Sequence, residues 1–359
     1  MQVTRDSQSA EAFACGPLLL SSRDGSHSGP SGYSTLSNYL PEAEFLDVFR
    51  QSPRNVFTRF CTAVNRRLTL VSWAWGSSLL LEWKALRRLV KDPRRIVHYL
   101  WADRDMAYLD LLKKRLGFKV VGTFHNCPDQ MGNLFNFRSR LSSIDHFIVV
   151  SSCQVEVLEK KGVPREKISV VLHGVDTRHF RPGQERNGGK FRVLSIGTWR
   201  RDTACMEKIF RHLAEEPDIE SVCLVQRKWR DRWKGISNLH LPDRVTDEEL
   251  LRLYQTSDVL LMAANAATAN NALVEALACG VPVIGSDVGG IREYTTDKAG
   301  LFFAAGDAAG AIEQIKKIKC SLELAAELSR GARRRGEELD WSLVAEQTHE
   351  CYQKVGELK

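Results

Sequence analysis

Residues 258–290 limit what this chain can fold into more than any other stretch. Asp258-Val259-Leu260-Leu261-Met262 is an apolar run bounded by small and polar residues, the pattern of a buried strand. The segment Asn270-Asn271-Ala272-Leu273-Val274-Glu275-Ala276-Leu277-Ala278-Cys279 is dominated by Ala, Leu and Glu and reads as a short helix, with Gly280 as its stop. Val281 to Ile284 is the next strand, followed by the small-residue loop Gly285-Ser286-Asp287-Val288-Gly289-Gly290. Strand, loop, helix, strand and loop in this order specify a parallel α/β sheet, whose ligands bind at the carboxyl ends of the strands. A helix start rich in Ala, Thr and Asn leaves backbone N–H groups that can receive phosphate. Glu275 lies one turn further in, placed to accept from a sugar hydroxyl. The same spacing also fits an ordinary βαβ unit with a surface Glu.

At 359 residues the chain can bury two cores. No apolar run is long enough to span a bilayer, and Pro17 to Leu20 is too short for the core of a signal peptide. The expectation is a cytoplasmic protein, peripheral on the inner face of a membrane if it meets one at all. The nine cysteines include no C-x-x-C pair, which fits small buried hydrophobes in a reducing compartment. Charge is uneven. Residues 1–183 hold 26 Lys and Arg against 17 Asp and Glu, a net of +9, and the remainder hold 25 against 27, a net of −2. A basic first half points to an anionic partner, namely a phosphorylated acceptor, a lipid headgroup or a membrane surface. Plain solubility charge is the alternative.

In chain order, residues 1–16 read as disordered, and Leu18 to Ser22 as a first strand. Ser28-Gly29-Pro30-Ser31-Gly32-Tyr33-Ser34-Thr35-Leu36 is a turn feeding a short helix, where Gly32 permits close backbone approach. Residues 55–95 read as mostly helical. Leu79, Leu80, Leu81, Trp83, Leu86, Leu89 and Val90 interleave with Lys84, Arg87, Arg88 and Lys91, with Trp73 and Trp75 nearby. This is a basic amphipathic helix, either packed on a core or docked on a membrane surface. Ile96 to Trp101 and Phe118 to Phe124 are strands, the second ending in His125-Asn126. Phe147 to Ser152 and Ile168 to Leu172 follow as strands. Gly183 to Lys190 is a polar, Gly-rich linker. Phe191 to Gly197 opens the second half, and Thr246 with Glu249 forms a capping box for the next helix.

Glu275 to Glu293 closely follows E-A-x-A-x-G-x-P-V-I-x-S-D-x-G-G-x-x-E, and His173 to Pro182 follows the run N/H-G-V-D-x-x-x-F-x-P. In these motifs the chain resembles retaining family-4 glycosyltransferases of the GT-B fold. The resemblance covers roughly residues 27 to 355 and is strong from Asp145 to Phe303. It implies an α/β chain with two Rossmann-like domains facing across a cleft. Residues 1–183 would be the N-terminal acceptor-binding domain and 184–340 the nucleotide-sugar-binding domain. Residues 341–359 would be a C-terminal helix crossing back to the first.

The implied reaction moves a sugar, by resemblance a hexosyl group, from a nucleotide-diphosphate sugar to an acceptor hydroxyl, with retention. It needs no cofactor and no metal, since the nucleotide-sugar is itself a substrate. By resemblance Glu275 binds the ribose, and the backbone at Asn270, Asn271 and Ala272 the β-phosphate. Arg244 and Val245 lie by the base, with Gly197 at the turn after the first strand of the donor half. The family's G-R…K-G pattern reads Gly197-Thr198-Trp199-Arg200-Arg201 here, so Arg201 or Arg200 is the expected catalytic surrogate at the diphosphate, with Lys208 as a weaker candidate. His125 would serve catalysis from the first domain, and Gly32 and Tyr33 would meet the acceptor. The expected acceptor is anionic or lipid-linked, with peripheral membrane contact and no nucleic acid. Asp103-Arg104-Asp105 copies the D-x-D metal pattern of the other large glycosyltransferase fold, but follows a strand in the wrong domain and reads as a loop. The first Glu of the family's E-x7-E pair falls on Ala267. That departure leaves open an altered donor contact from Asn265 or Asn270, a catalytically silent GT-B partner or regulator, or a nucleotide-sugar epimerase on the same fold.

Overall fold

A computed structural model describes residues 16–23, 29–49, 56–69, 76–93, 95–134, 141–183 and 189–357. Expectations for residues 1–15, for Trp73 and Trp75 and for 184–188 fall outside these residues. The chain divides into two compact units: residues 1–27, 32–171 and 344–359 in the first, and 28–31 and 172–343 in the second. The division comes before Gly183 because the run after Val171 belongs to the second core. Val175 makes a bridge with Asp340, and Phe180 packs edge-on against Tyr254, ring centroids 6.0 Å apart.

The first unit is built on six parallel strands: β1 Leu18–Arg23, β2 Glu44–Phe49, β3 Ile96–Tyr99, β4 Lys119–Phe124, β5 His146–Val149 and β6 Ile168–Val170. Their spatial order is β2-β1-β3-β4-β5-β6. In a parallel sheet covered on both faces the strands are apolar throughout, and every residue of β3 and β5 is buried. His98 is the polar exception in β3. Its ring nitrogens meet the Tyr352 hydroxyl and Thr123 Oγ1, each at 2.7 Å, and burial pushes its pKa down to about 3, so the ring is neutral. The helix α2, Gly76–Leu89, packs on β1 and β2, and the helix α1, Val56–Thr69, packs on α2.

The second unit holds β7 Phe191–Ile196, β8 Ile219–Leu224, β9 Leu239–His240, β10 Val259–Met262, β11 Val283–Ser286 and β12 Gly300–Phe303. The sheet is parallel, in the order β12-β11-β10-β7-β8-β9. Counted within the unit this is 3-2-1-4-5-6, the doubly wound order. Its topological switch lies between β7 and β10, where ligands bind in such sheets. The helix Asn271–Ala278 follows β10 and is buried from Ala272 to Ala278. An Ala- and Leu-rich helix can be buried on all sides because it carries little polar surface, and Glu275 is its one charge.

Candidate donor and acceptor sites

The site in the second unit is assembled at the switch between β7 and β10. Gly197 ends β7 with φ +83°, and Arg200 takes the left-handed conformation, φ +57°, which is costly for a non-glycine residue. The loop is held in that shape by the segment after β10. Arg201 bridges Ala264, the N–H of Asn265 donates to Arg200 O at 2.9 Å, and that of Asp202 to Ala263 O at 3.1 Å. This lacing turns the Arg201 side chain inward. One terminal nitrogen donates to Ile196 O at 3.0 Å and to Asn270 Oδ1 at 3.2 Å, while Nε has no partner.

Arg201 is 7% exposed, and among the described residues no carboxylate lies within ion-pair distance. Burial lowers its pKa from 12.5 to about 10, so it stays charged at neutral pH. An unmatched buried cation is costly and asks for an anion. Asn270, at the N-cap of the helix Asn271–Ala278, spends its side-chain oxygen on Arg201 and does not cap the helix with it. The positive end of that helix and the guanidinium therefore act at one place.

Glu275 is 4% exposed. Tyr254, on the helix Asp247–Gln255, donates its hydroxyl to Oε2 at 2.7 Å, and the Ser31 hydroxyl donates to Oε1. Burial holds the Glu275 pKa above the ordinary carboxylate value, against the pull of the two hydroxyls. Ala267 lies in the second core. Gly290 N–H donates to its carbonyl at 3.0 Å, and a Cβ on Gly289 would lie 2.0 Å from that oxygen. The Gly-Gly turn is thus pressed against Ala267. Of the other donor-side candidates, Arg200 is half-buried, Arg244 exposed and Val245 half-buried; Lys208 lies on the helix Thr203–Leu213. None is tied to Arg201 or Glu275 by a described side-chain bond.

In the first unit His125 follows β4. Its ring stacks on Trp101 (centroids 3.8 Å apart) and meets Tyr33 edge-on at 4.6 Å. Nε2 lies 2.8 Å from Leu100 O, and since a carbonyl only accepts, the neutral ring carries its proton there. Asp103 accepts the N–H groups of His125 and Asn126 at 2.8 and 2.7 Å, and burial raises its pKa to about 6. Asp105 accepts from Ser22 N–H at 2.8 Å and Ser22 Oγ at 2.5 Å. The D-x-D segment is therefore a one-turn helix, Ala102–Asp105, rather than the expected loop, and its carboxylates fasten the ends of β1 and β4. Gly32 has φ +98°, whereas the Tyr33 side chain is 1% exposed and is closed to a ligand, supporting the His125 ring instead.

The helix α2 buries Ser78, Leu81, Glu82, Ala85 and Leu89. Leu80, Trp83 and Val90, expected on the apolar side, are 49%, 49% and 67% exposed. Lys84 donates to Asp47 O, and Arg88 pairs with Glu44. On α1, Val56, Arg59, Phe60, Ala63, Arg66 and Arg67 recur at helical spacing and are all exposed. Neither helix exposes an acid, since the only acid in either is the buried Glu82. The outward face is thus basic and aromatic together.

Sequence reasoning did not find Trp101, Tyr254 or Ser31. Trp101 reads as a strand end and Tyr254 as one apolar position of an amphipathic helix. Ser31 lies 244 positions from Glu275 and carries no local signal.

Two parallel, doubly wound units, one with an anion-seeking site at its switch point, define a GT-B glycosyltransferase. The chain belongs to the family-4 glycosyltransferases. The model described as Glycosyltransferase Family 4 matches residues 35–179, and that described as Glycosyl transferases group 1 matches residues 230–335. An N-acetyl-alpha-D-glucosaminyl L-malate synthase of Bacillus anthracis is 33% identical over 262 residues, which are 66% of this chain and 68% of that protein. Among solved structures, the trehalose 6-phosphate synthase of Burkholderia multivorans matches with a TM-score of 0.72 at 11% identity, covering 95% of this chain and 99% of that one. Anabaena HepE in complex with UDP-glucose matches with a TM-score of 0.68 at 11% identity, over 94% of this chain and 99% of that one.

Proposed function

We propose that this glycosyltransferase takes its sugar from a nucleotide-diphosphate donor and retains the anomeric configuration without a metal. The observation that carries the reading is Arg201, a buried cation with no counter-ion among the described residues, beside a helix start that the Asn270 side chain does not cap. A diphosphate placed there would receive the guanidinium and the N–H groups at Asn271 and Ala272, which neutralise charge as it departs. Arg200, on the same laced loop, is the second cation, and Gly197 leaves open space where a Cβ would stand. Glu275, one turn further on, would accept from the ribose, with Arg244 and Val245 beside the base. The C1–phosphate bond breaks, the acceptor oxygen bonds C1 from the same face, and the acceptor's proton passes to a phosphate oxygen. The enzyme then supplies position and fixed charge rather than a nucleophile. On the first unit, His125, with its proton held on Nε2, would be the catalytic group, and Gly32 would meet the acceptor. HepE bound to UDP-glucose supports this donor class. A thermal-shift screen of UDP-, GDP- and ADP-sugars tests it, because a ligand of the folded state raises stability. The anomer of the product, read by NMR, tests retention. Glu275→Ala should weaken nucleotide binding by about 1.5–3 kcal/mol; unchanged affinity in a folded variant would remove Glu275 from the site.

The outward face of α1 and α2 favours an acceptor held at an anionic membrane. Arg59, Arg66, Arg67 and Arg87 supply charge, while Phe60, Leu80 and Trp83 supply apolar groups that can enter the headgroup region. Among the described residues no helix is long and apolar enough to cross a membrane, so contact would be peripheral. Phosphatidylglycerol vesicles should bind at low salt and release as salt rises, because exposed charges are screened over roughly 8 Å at physiological strength. Charge reversal at Arg59, Arg66 and Arg67 should abolish binding with melting unchanged. If anionic vesicles are ignored at low salt, a soluble anion is the better acceptor, in keeping with the L-malate in the name of the Bacillus anthracis relative.

A further inference from the structure

We propose that the Ser31 hydroxyl is an internal stand-in for a ribose hydroxyl, so that a nucleotide enters only by displacing residues 29–31 from Glu275. The inference rests on the reading of Glu275 as the ribose acceptor. Among the described residues, two hydroxyls are the only side-chain donors to that carboxylate. They are held very differently. Tyr254 is fully buried in the second core, within a helix closed by a capping box at Thr246 and Glu249. Ser31 is half-buried in the turn Gly29-Pro30-Ser31-Gly32, outside any helix or strand, and the ends of the turn are held by an exposed bond from Gly29 N–H to Asp247 Oδ2 at 3.2 Å and one from Thr35 N–H to Gly32 O at 3.1 Å. Of the two partners, Tyr254 can leave only by opening the core, whereas Ser31 can leave with its surface turn.

A carboxylate this buried cannot lose a donor cheaply, because little water reaches it to replace the bond. Release of Ser31 is therefore favourable only when another hydroxyl takes its place. A ribose presents two adjacent hydroxyls, the same chemical group as the serine. The exchange keeps Glu275 satisfied throughout and frees residues 29–31. A nucleotide lacking both hydroxyls offers no replacement, so the clasp stays shut against it. Ser31 thereby lowers the affinity of every nucleotide, and only one that brings a ribose hydroxyl to Glu275 recovers the loss.

The probes are UDP, GDP and ADP, and the 2′,3′-dideoxy form of whichever binds tightest, titrated by calorimetry. Ser31→Ala should bind the ribonucleotide about tenfold tighter, because the empty state loses its bond while the bound state does not. Affinity for the dideoxy form should rise by a similar factor, because its entry breaks the same bond, while staying weaker than that of the ribonucleotide. Asp247→Ala, which cuts the second tether, should move in the same direction. Amide hydrogen exchange at Gly29, Ser31 and Gly32 of the unaltered protein should quicken when the ribonucleotide binds. If Ser31→Ala leaves ribonucleotide affinity unchanged or weakens it, the clasp is overturned. Loss of affinity in Glu275→Ala alongside that result would overturn the clasp alone. No binding of any nucleotide, or no effect of Glu275→Ala, would overturn the donor-site reading as well.

Discussion

Replacing Arg201 with methionine should leave the fold as stable or more stable while disabling the site. The pKa of the guanidinium falls from 12.5 to about 10 on burial, and at 1.36 kcal/mol per unit the empty protein bears a penalty of roughly 3 kcal/mol for holding the charge. The sign follows from the lowered pKa of a base: the penalty applies at every pH below about 10. Methionine is similar in length and apolar. It leaves Ile196 O and Asn270 Oδ1 without a donor, at a cost of about 1–1.5 kcal/mol each. The net is a gain of about 0–1 kcal/mol, or up to about 4 °C in Tm. Binding moves the other way. Loss of one charge-assisted contact should weaken nucleoside diphosphate affinity by about 1.5–3 kcal/mol, and turnover should fall about 10²–10³-fold. Scanning calorimetry and a diphosphate titration on the same preparation read both signs. A variant that melts several degrees lower yet binds the diphosphate normally would show that Arg201 is a structural fastener and refute the assignment.

Three further outcomes are expected. Activity should survive EDTA; loss in chelator with recovery in Mn²⁺ would contradict a reaction driven by Arg201 and Arg200. His125→Ala should reduce turnover while leaving vesicle binding intact, and loss of both together would mean that the Trp101–His125–Tyr33 stack merely supports the first unit. His98 contributes stability that is present above pH 6.5 and declines as pH falls toward its folded pKa of about 3. The stability difference between the unaltered protein and His98→Phe, from urea midpoints, should therefore narrow by about 2 kcal/mol between pH 6.5 and pH 5; a constant difference would mean that the buried ring takes up a proton in the folded state.

Local sequence is most informative where a pattern is both local and periodic. The strand–helix–strand run from Val259 to Ser286 is legible because a doubly covered parallel sheet demands continuous apolar strands. The capping box at Thr246 and Glu249 is legible because both its bonds span three residues. Sequence puts Arg201 near the diphosphate, yet its inward turn comes from the lacing of its loop to Ala264 and Asn265, three strands further on in sequence. The environment of Glu275 was illegible for the same reason: Ser31 and Tyr254 reach it from distant segments, and a hydroxyl leaves no trace in an apolar period. Leu80, Trp83 and Val90 were placed on the buried side of α2 because hydrophobicity alone cannot say which of two apolar stripes meets the sheet. Ser78, Glu82 and Ala85 occupy that side, and Glu82 is admitted because the Tyr99 hydroxyl and the N–H groups of Ala107, Tyr108 and Leu109 satisfy it.

The first unit is not continuous in sequence: its last piece is residues 344–359. The Tyr352 hydroxyl that His98 needs lies 254 positions downstream. On a ribosome adding about 5–20 residues per second, β1 to β6 are complete some ten to forty seconds before that tyrosine is made. During this interval His98 waits in an apolar strand with only Thr123 for company, while the second unit has most of its chain in hand. The domain begun first is thus finished last, and its half-made sheet is the part of the nascent chain most exposed to misassembly and most in need of a chaperone.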